Sequence, residues 1–315
     1  MALRLPRTFR LTGNRWVLWP PAIALAVLLF VGGPGYRSSR SLSAAWDLGH
    51  LVAFSLWGYL LVTRNPLKDA TPARQWGTIL AFSFVAGAAT EGIQWVSGGD
   101  ASLDDFLRDA CGGVLTLSWF APSAHILPRW VRRTARGLAA TLFLIACLPL
   151  AAALSDEAIA RVQFPVLSDF ETPFETSRWD GGARDTSFAF HGKASLRVDM
   201  DTSLYSGIAL VHFPRDWKGY GTLNMEVLNP SSEEIDITCR IHDRQHEKGD
   251  QRYEDRFNKG FLLRPGWNDL RIDLGEVARA PVGRSMDLRE IRVVGIFATG
   301  LTAPRTIYVD HVRLQ

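Results

Sequence analysis

The stretch that decides the fold is Ala135–Leu154, ARGLAATLFLIACLPLAAAL, in which one arginine stands among aliphatic and small side chains. A helix that crosses the hydrocarbon core of a bilayer needs about 20 mostly apolar residues. This stretch is long enough, so it predicts a membrane-spanning helix. Residues before it hold further apolar runs, whereas residues after about 165 form short alternating segments, turns and mixed charge. The pattern therefore predicts two unlike domains, residues 1–160 and residues 165–315.

The first domain contains four more apolar runs, Trp16–Val31, Leu48–Val62, Thr78–Val96 and Phe106–Phe120. The last three of these are more polar, which suits helices shielded by their neighbours. We expect an α-helical membrane bundle of about five transmembrane helices. The basic N-terminus also resembles a signal peptide, but no small-residue cleavage site follows it, and Gly32-Gly33-Pro34-Gly35 is typical of a helix stop.

The basic residues of the first domain lie in alternate connecting segments. The N-terminus, Arg64–Arg74 (which also contains Lys68) and Arg129–Arg136 carry most of these basic residues, whereas one intervening segment has only Arg37 and Arg40 and the other, Ser97–Asp104, has none. Cytoplasmic loops carry the excess of Lys and Arg. This bias predicts a multi-pass inner (cytoplasmic) membrane protein with its N-terminus in the cytoplasm. After an odd number of spans, the C-terminal domain lies outside the cytoplasm.

Several function classes find no support in the composition or in known motifs. The net charge of +3 is too small to imply a nucleic-acid partner. Cys111, Cys147 and Cys239 show neither a disulfide framework nor a metal-type spacing, so we expect unpaired thiols. No nucleophile elbow, phosphate-cradling loop or identifiable pair of catalytic carboxylates is present. We therefore do not expect an enzyme.

Ionisable side chains inside the apolar runs need an explanation, because each costs a few kcal/mol in a membrane. Three pairs follow helical spacing: Asp47 with His50, Glu91 with Gln94, and Asp105 with Asp109. Residues three or four apart share one face of a helix. In the predicted orientation all three pairs lie near the outer leaflet, so they predict one polar pocket in the membrane. The alternative is an interfacial position, which for Asp47 and Asp105 also suits the helix dipole.

The same residues carry a resemblance to a known family. Asp47–Phe54 (DLGHLVAF), Glu91–Gln94 (EGIQ) and Ser102–Gly112 (SLDDFLRDACG) resemble the signature of the VanZ-like membrane family, named for a protein associated with teicoplanin resistance. The resemblance covers about residues 16–125 and implies an envelope role in handling lipid or lipid-linked glycan. Two departures argue against anion binding: Asp109 stands where the family has Asn, and the segment around Asp100 lacks the family's arginine.

The second domain has the pattern of a β-protein. Seven short segments predict strands: Ser195–Asp199, Gly207–His212, Thr222–Leu228, Ile235–His242, Asp269–Leu274, Ile291–Phe297 and Thr306–Leu314. Gly, Pro, Asn and Asp separate them, and no helical pattern intervenes. This spacing predicts an antiparallel, all-β sandwich.

Four segments in this order resemble a galactose-binding-like jelly roll, the fold of many carbohydrate-binding modules: Asp169–Glu171, His191–Leu196, Pro265–Ile272 and Ile307–Leu314. The resemblance implies a structural calcium held by an early acidic residue and a late aspartate. Glu171 and Asp310 match those positions. A plain strand-end carboxylate is the alternative for each, and we expect no other cofactor.

Sugar binding needs aromatic faces and fixed polar groups. Arg240 and His242 alternate with Ile241, so both lie on one face of a strand. The predicted carbohydrate-binding residues are Trp217, Tyr220, Arg240, His242, Asp243 and Arg256. Asp255, Phe257 and Trp267 are further candidates, although Trp267 follows a Pro-Gly turn and suits a core position better.

The sequence thus predicts an envelope protein whose outer sandwich binds glycan or glycolipid and whose VanZ-like bundle anchors it and engages lipid. The expected partners are membrane lipid and a polysaccharide or glycolipid, not nucleic acid. A transporter or flippase for lipid or lipid-linked glycan is the first alternative, with Glu91 and Asp109 contacting the headgroup. An intramembrane enzyme that uses His50 with Glu91 or Asp105 as acid and base, and a scaffold for another protein, stay open.

Overall fold

The computed structural model describes residues 15–29, 33–34, 38–96 and 103–315. The chain divides into two compact units, Met1–Ala151 and Ala152–Gln315. This division falls earlier than the predicted one, because the last turns of the fifth helix belong to the sandwich unit. The basic residues before residue 15, residues 32 and 35 of the predicted helix stop and the loop residues 97–102 lie outside the described residues.

The N-terminal unit has a helix at each predicted position: α1 (Trp19–Leu28), α2 (Arg40–Val62), α3 (Pro72–Val96), α4 (Leu103–Phe120) and α5 (Arg129–Gln163). Three of these helices, α2, α3 and α5, are long and apolar enough to cross a membrane. Helix α1 is short, and α4 carries four charged residues, Asp104, Asp105, Arg108 and Asp109. The structure therefore supports three candidate spans, and the bundle of five stays a prediction.

Helices α2 and α4 pack closely because small residues line their contact. A Cβ atom added at Gly112 would lie 2.7 Å from a backbone oxygen of α2. The hydroxyl of Ser55 donates to the carbonyl of Gly112 (3.2 Å), and the hydroxyl of Thr116 donates to the carbonyl of Ser55 (2.7 Å). These contacts fix the register of the two helices and bring His50 opposite Asp109.

The C-terminal unit is an antiparallel β-sandwich, as predicted. Its ten strands are β1 (Val166–Ser168), β2 (Ala183–Asp185), β3 (Ser195–Met200), β4 (Tyr205–Leu210), β5 (Thr222–Asn229), β6 (Ile235–Asp243), β7 (Phe257–Leu263), β8 (Gly266–Asp273), β9 (Ile291–Thr299) and β10 (Arg305–Leu314). One sheet has the order β2-β3-β10-β5-β8, with β1 paired to β10, and the other has the order β4-β9-β6-β7. Two short helices, α6 (Arg244–Lys248) and α7 (Leu274–Arg279), follow β6 and β8.

All seven predicted strands are present, with ends shifted by a few residues, whereas β1, β2 and β7 were not predicted. Strand β7 lies at the edge of the four-stranded sheet. Its central residues, Asn258-Lys259-Gly260, interrupt the apolar alternation on which the prediction depended. A strand that pairs on one side only tolerates such residues because it packs less of its surface.

Strict alternation in β6 separates the core from the outer face of the four-stranded sheet. Ile235, Ile237, Cys239 and Ile241 are buried in the core cluster between the sheets. Burial raises the pKa of the Cys239 thiol to about 12, and all three cysteines are free. The intervening residues Asp236, Thr238, Arg240 and His242 therefore lie on the outer face.

Candidate functional site

The outer face of the four-stranded sheet carries a groove of about 440 Å³. This volume lies within the range of roughly 300–1,000 Å³ that is usual for ligand sites. In the sheet, Gly295 pairs with Ala209 on one side and with Arg240 on the other. In the next row, Phe297 stands between Gly207 and Thr238. The small residues beside Phe297 and Arg240 leave the depression that forms the groove.

Two aromatic rings form one wall of the groove. Tyr205 is 67% exposed, and its ring meets that of Phe297 at a centroid distance of 5.8 Å and an interplanar angle of 67°. This edge-to-face contact holds the two rings beside each other. An exposed aromatic face is the surface on which the apolar side of a sugar ring stacks, so this pair is a candidate platform.

Polar groups stand next to this platform in fixed positions. The guanidinium of Arg240 lies 5.9 Å from the centroid of the Phe297 ring, and that of Arg256 lies 5.2 Å from the centroid of the Tyr253 ring. Such contacts hold a guanidinium in place beside an aromatic ring. Asp180, another lining residue, forms two hydrogen bonds with Ala209. The N–H of Asp180 donates to the carbonyl of Ala209 (2.9 Å), and the carboxylate of Asp180 accepts a hydrogen bond from the N–H of Ala209.

Only two of the predicted sugar-binding residues line this groove, Arg240 and Arg256. Trp217 is fully buried, and its indole N–H donates to a nearby backbone carbonyl (3.1 Å). It therefore belongs to the core and cannot stack on a ligand. Tyr220 packs against the core with its ring edge-on to Phe164 at 5.4 Å, away from the groove lining.

His242 and Asp243 have structural positions. His242 lies on the same face as Arg240, as predicted, but it is buried against the ring of His246 of α6 at 4.7 Å. Buried Asp243 accepts two hydrogen bonds from the guanidinium of Arg284 (2.6 and 2.9 Å) and one from the N–H of His246 (3.0 Å). Burial alone would raise the pKa of Asp243, but these donors outweigh burial and hold it below its ordinary value. Both side chains thus fasten α6 to the sheet.

The additional candidates are dispersed. Phe257 lies in the core, and Asp255 forms an ion pair with Arg284. Trp267 lies in β8, on the sheet opposite the groove, and it is half-buried rather than part of the core. Its ring packs edge-on to the exposed ring of Phe190 at a centroid distance of 5.5 Å. The sequence-based candidates included neither Tyr205 nor Phe297. Alternation could have placed each on an outer face, but only the pairing of β4 with β9 brings the two rings together.

The two residues predicted to bind calcium instead accept backbone N–H groups. Oε1 of Glu171 and Oδ2 of Asp310 together accept four hydrogen bonds of 2.7–3.2 Å from N–H groups of Phe190–Ala194. Calcium requires a cage of oxygen ligands. No group of three His, Cys, Asp or Glu side chains in the described part of the chain could hold a metal ion. These contacts fit carboxylates that close one loop, and calcium binding by this pair stays a prediction.

The helical unit assembles most of its predicted polar residues into a chain of contacts. Nδ1 of His50 lies 3.1 Å from Oδ1 of Asp109, and an ionised carboxylate can only accept this hydrogen bond. Nε2 of His50 lies 3.9 Å from Asp105, whose carboxylate accepts a hydrogen bond from Arg108. Arg108 also lies 3.9 Å from Asp47. The sequence-based prediction of the pocket did not include Arg108, although Arg108 follows Asp105 by three residues and so shares its face of α4.

Exposure decreases along this chain of contacts. The side chain of Asp47 is 43% exposed, that of Asp105 19%, that of His50 4% and that of Asp109 0%. The buried Glu91 lies near enough to interact electrostatically with both His50 and Asp109. The cluster therefore leads from the surface of the unit into its interior.

Two contacts add detail to this pocket. The side-chain amide of Gln94 donates to the carbonyl of Leu29 at 3.0 Å, so this contact ties α3 to the end of α1. Nδ1 of His50 is within hydrogen-bond distance of Asp109, while its Nε2 lies 3.9 Å from Asp105, so the acid–base alternative with Glu91 or Asp105 stays a prediction.

An apolar groove of about 580 Å³ lies beside the polar cluster. On α2 it is lined by Leu51, Ser55 and Tyr59, which follow Asp47 at intervals of one helical turn. From Leu51 to Tyr59 the groove extends about 12 Å along the helix, close to the thickness of one hydrocarbon leaflet, about 15 Å. One end of the groove is thus near the charged pair of Asp47 and Arg108.

No family profile matches the chain, and no curated protein matches it either. Among solved structures, an exo-β-agarase is 16% identical with a TM-score of 0.39, and the match covers 48% of this chain and 24% of that chain. A family 11 carbohydrate-binding module from Clostridium thermocellum, in complex with a β-1,3-1,4-mixed-linked tetrasaccharide, is 15% identical with a TM-score of 0.36, covering 47% of this chain and 93% of that chain. The chain is therefore similar over about half its length to these structures, and it spans about a quarter of the agarase. At TM-scores this low, the similarities assign no function to it.

Proposed function

We propose that this chain is an envelope membrane protein whose sandwich unit binds a glycan in the groove of the four-stranded sheet. The observation that carries the proposal is the wall formed by Tyr205 and Phe297 beside the fixed guanidinium groups of Arg240 and Arg256. Aromatic faces take the apolar side of a sugar ring, and fixed donors take its hydroxyl oxygens. The galactose-binding-like resemblance of the sequence agrees with this assignment.

An extracytoplasmic position of the sandwich belongs to the same proposal. Its support is the arginine-rich loops at Arg64–Arg74 and Arg129–Arg136, which the positive-inside rule assigns to the cytoplasm. With a cytoplasmic N-terminus, five spans place both loops in the cytoplasm and lead the chain to the outer side, so this orientation requires that α1 and α4 also cross the membrane. The envelope glycans are accessible there.

Glycan binding is tested with the full-length protein in nanodiscs, screened against an array of envelope polysaccharides and glycolipids. Phe297→Ala removes half of the aromatic wall, and we expect it to weaken binding about tenfold, because aromatic contacts contribute about 0.5–1.5 kcal/mol beyond burial. Phe188→Ala is the matched control, since Phe188 is a phenylalanine that is 43% exposed but packs against Tyr308 on the other sheet. An array without any bound glycan, or equal losses in both variants, would contradict the proposal.

Handling of lipid or lipid-linked glycan by the helical unit is a second candidate function. It is favoured by the chain of ionisable groups from Asp47 to Asp109 and by the apolar groove that begins beside it. In this proposal the VanZ-like sequence features of α2 and α4 serve lipid engagement, and the polar chain takes up protons or contacts a headgroup as the lipid moves. Ionisable groups in membrane helices are functional candidates by default.

Transport is tested in liposomes that contain the reconstituted protein and a fluorescent phospholipid, with dithionite quenching as the readout of translocation. We expect His50→Asn and Glu91→Gln to abolish translocation, because both side chains belong to the interior part of the cluster. Asp69→Asn, an exposed residue between α2 and α3, is the control and should leave translocation unchanged. Translocation that persists in the first two variants would remove the transport function.

A further inference from the structure

We propose that the glycan recognised by the sandwich groove is acidic, with a carboxylate or sulfate group on the sugar that contacts Arg240 and Arg256. The inference rests on the proposed glycan-binding function and specifies its ligand class. Both arginines line a groove of only about 440 Å³, beside the aromatic wall. A sugar stacked on Tyr205 and Phe297 would thus place its substituents next to two positive charges.

The charge balance of the groove favours an anion. Asp180 is the one acidic residue among the described lining residues, and its Oδ1 accepts the N–H of Ala209. That hydrogen bond engages part of the Asp180 charge with the backbone of β4. Two guanidinium groups and one carboxylate thus line the groove, so an anionic substituent would meet more cationic than anionic side chains there.

The sheet itself holds the Arg240 guanidinium in place. The guanidinium lies over Gly295, its neighbour in β9, because a Cβ atom built there would be in van der Waals contact with Nε of Arg240 at 3.5 Å. The guanidinium thus lies across β9 near Phe297, while the guanidinium of Arg256 lies on the ring of Tyr253. A guanidinium that is already positioned loses little side-chain entropy on binding, and its planar fork matches a carboxylate or sulfate.

The test compares the binding of three hexasaccharides to the full-length protein in nanodiscs. These are a hexagalacturonate, its carboxyl-reduced neutral counterpart and a sulfated galactan of the same length. Their affinities are measured by calorimetry at low and at physiological salt. We expect at least one acidic ligand to bind ten or more times tighter than the neutral one, because hydrogen bonds to charged groups are the stronger ones. The preference should decrease as salt rises. The acidic ligand that binds shows which anion the arginines accept.

Arg240→Gln and Arg256→Gln should each reduce acidic binding about tenfold or more and leave weak neutral binding nearly unchanged. Arg271→Gln removes the same charge from an exposed position on β8, in the other sheet, and should have no effect. Equal binding of acidic and neutral ligands that Phe297→Ala still weakens would overturn the acidic specificity alone. Binding of none of the three ligands, with an array that also shows no bound glycan, would remove the glycan-binding function as well. An equal loss in Arg271→Gln would mean general charge attraction and would also overturn the inference.

Discussion

The ion pair of Arg178 and Asp156 allows the sharpest prediction about the stability of the sandwich unit. Both side chains are 0% exposed. Nε of Arg178 donates to both carboxylate oxygens of Asp156 (3.1 and 2.9 Å), and Nη2 donates to one of them (2.8 Å) and to Gln163 (3.0 Å). Because Asp156 and Gln163 lie in the last turns of α5, this network fastens the end of that helix to the sandwich.

Asp156→Asn keeps the shape of the side chain but leaves a buried guanidinium without its main counter-charge. Removing one partner of a buried pair costs about 3–5 kcal/mol. Oε2 of Glu175, also buried, lies 3.7 Å from Nη1 of Arg178 and offsets part of this loss. We therefore expect the lower end of the range, about 3 kcal/mol.

Hydrogen exchange measures this loss of stability in the sandwich itself. Mass spectrometry reads the exchange on peptides from β5, β6 and β9 of the full-length protein in detergent. A loss of about 3 kcal/mol lowers protection about a hundredfold. Asp250→Asn breaks a pair with Arg252 whose side chains are 78% and 66% exposed, and it should change stability by less than about 0.5 kcal/mol. Arg178→Met combined with Asp156→Leu should recover part of the stability. A decrease below about tenfold in Asp156→Asn, or equal decreases in both single variants, would refute the reasoning.

Two further predictions concern the same unit. Gly207→Ala should lower the stability of the unit by roughly 1–3 kcal/mol or more and abolish glycan binding, because the new Cβ would lie 2.1 Å from the carbonyl oxygen of Ile296 in β9. Gly260→Ala is the control and should be tolerated, because the nearest neighbour of its Cβ would be 4.0 Å away. Equal losses of stability in the two variants, measured by thermal unfolding, would contradict this prediction. Burial, Arg313 and His191 lower the pKa of His311 to about 4. In the unfolded chain the imidazole of His311 takes up a proton near pH 6.5, whereas in the folded protein it stays neutral until about pH 4. The contribution of His311 to stability is therefore complete above about pH 6.5 and is lost as the pH falls towards 4. Urea unfolding from pH 7 to pH 5 should therefore show a larger loss of stability in the parent than in His311→Gln, and parallel curves would refute this.

Local patterns were sufficient to predict most of the elements but not the glycan groove. The alternation of β6 predicted correctly that Arg240 and His242 share a face, because side chains in a strand alternate whatever the strand packs against. The same pattern could not show that His246 of the following helix covers His242. It also could not distinguish the buried Trp217, whose N–H finds a partner within its own loop, from an exposed tryptophan.

The polar cluster of the helical unit was more predictable than the groove, for a physical reason. Spacing of three or four residues within one helix assigned Asp105 and Asp109 to one face of α4 and His50 to one face of α2. Placing these faces together required only that the helices pack. Tyr205 and Phe297, in contrast, stand far apart in the sequence, and their contact depends on the register of β4 against β9.

Hydroxyl-radical footprinting of the full-length protein tests the central claim most directly, because it reports which aromatic rings a bound glycan covers. On saturation with the glycan selected by the array, oxidation of Tyr205 and Phe297 should decrease, while that of the exposed Phe188 and Phe190 on the other sheet should not change. Protection of Phe188 and Phe190 in place of Tyr205 and Phe297, or no protection of any of these rings at saturation, would contradict the assignment of the groove as the glycan site.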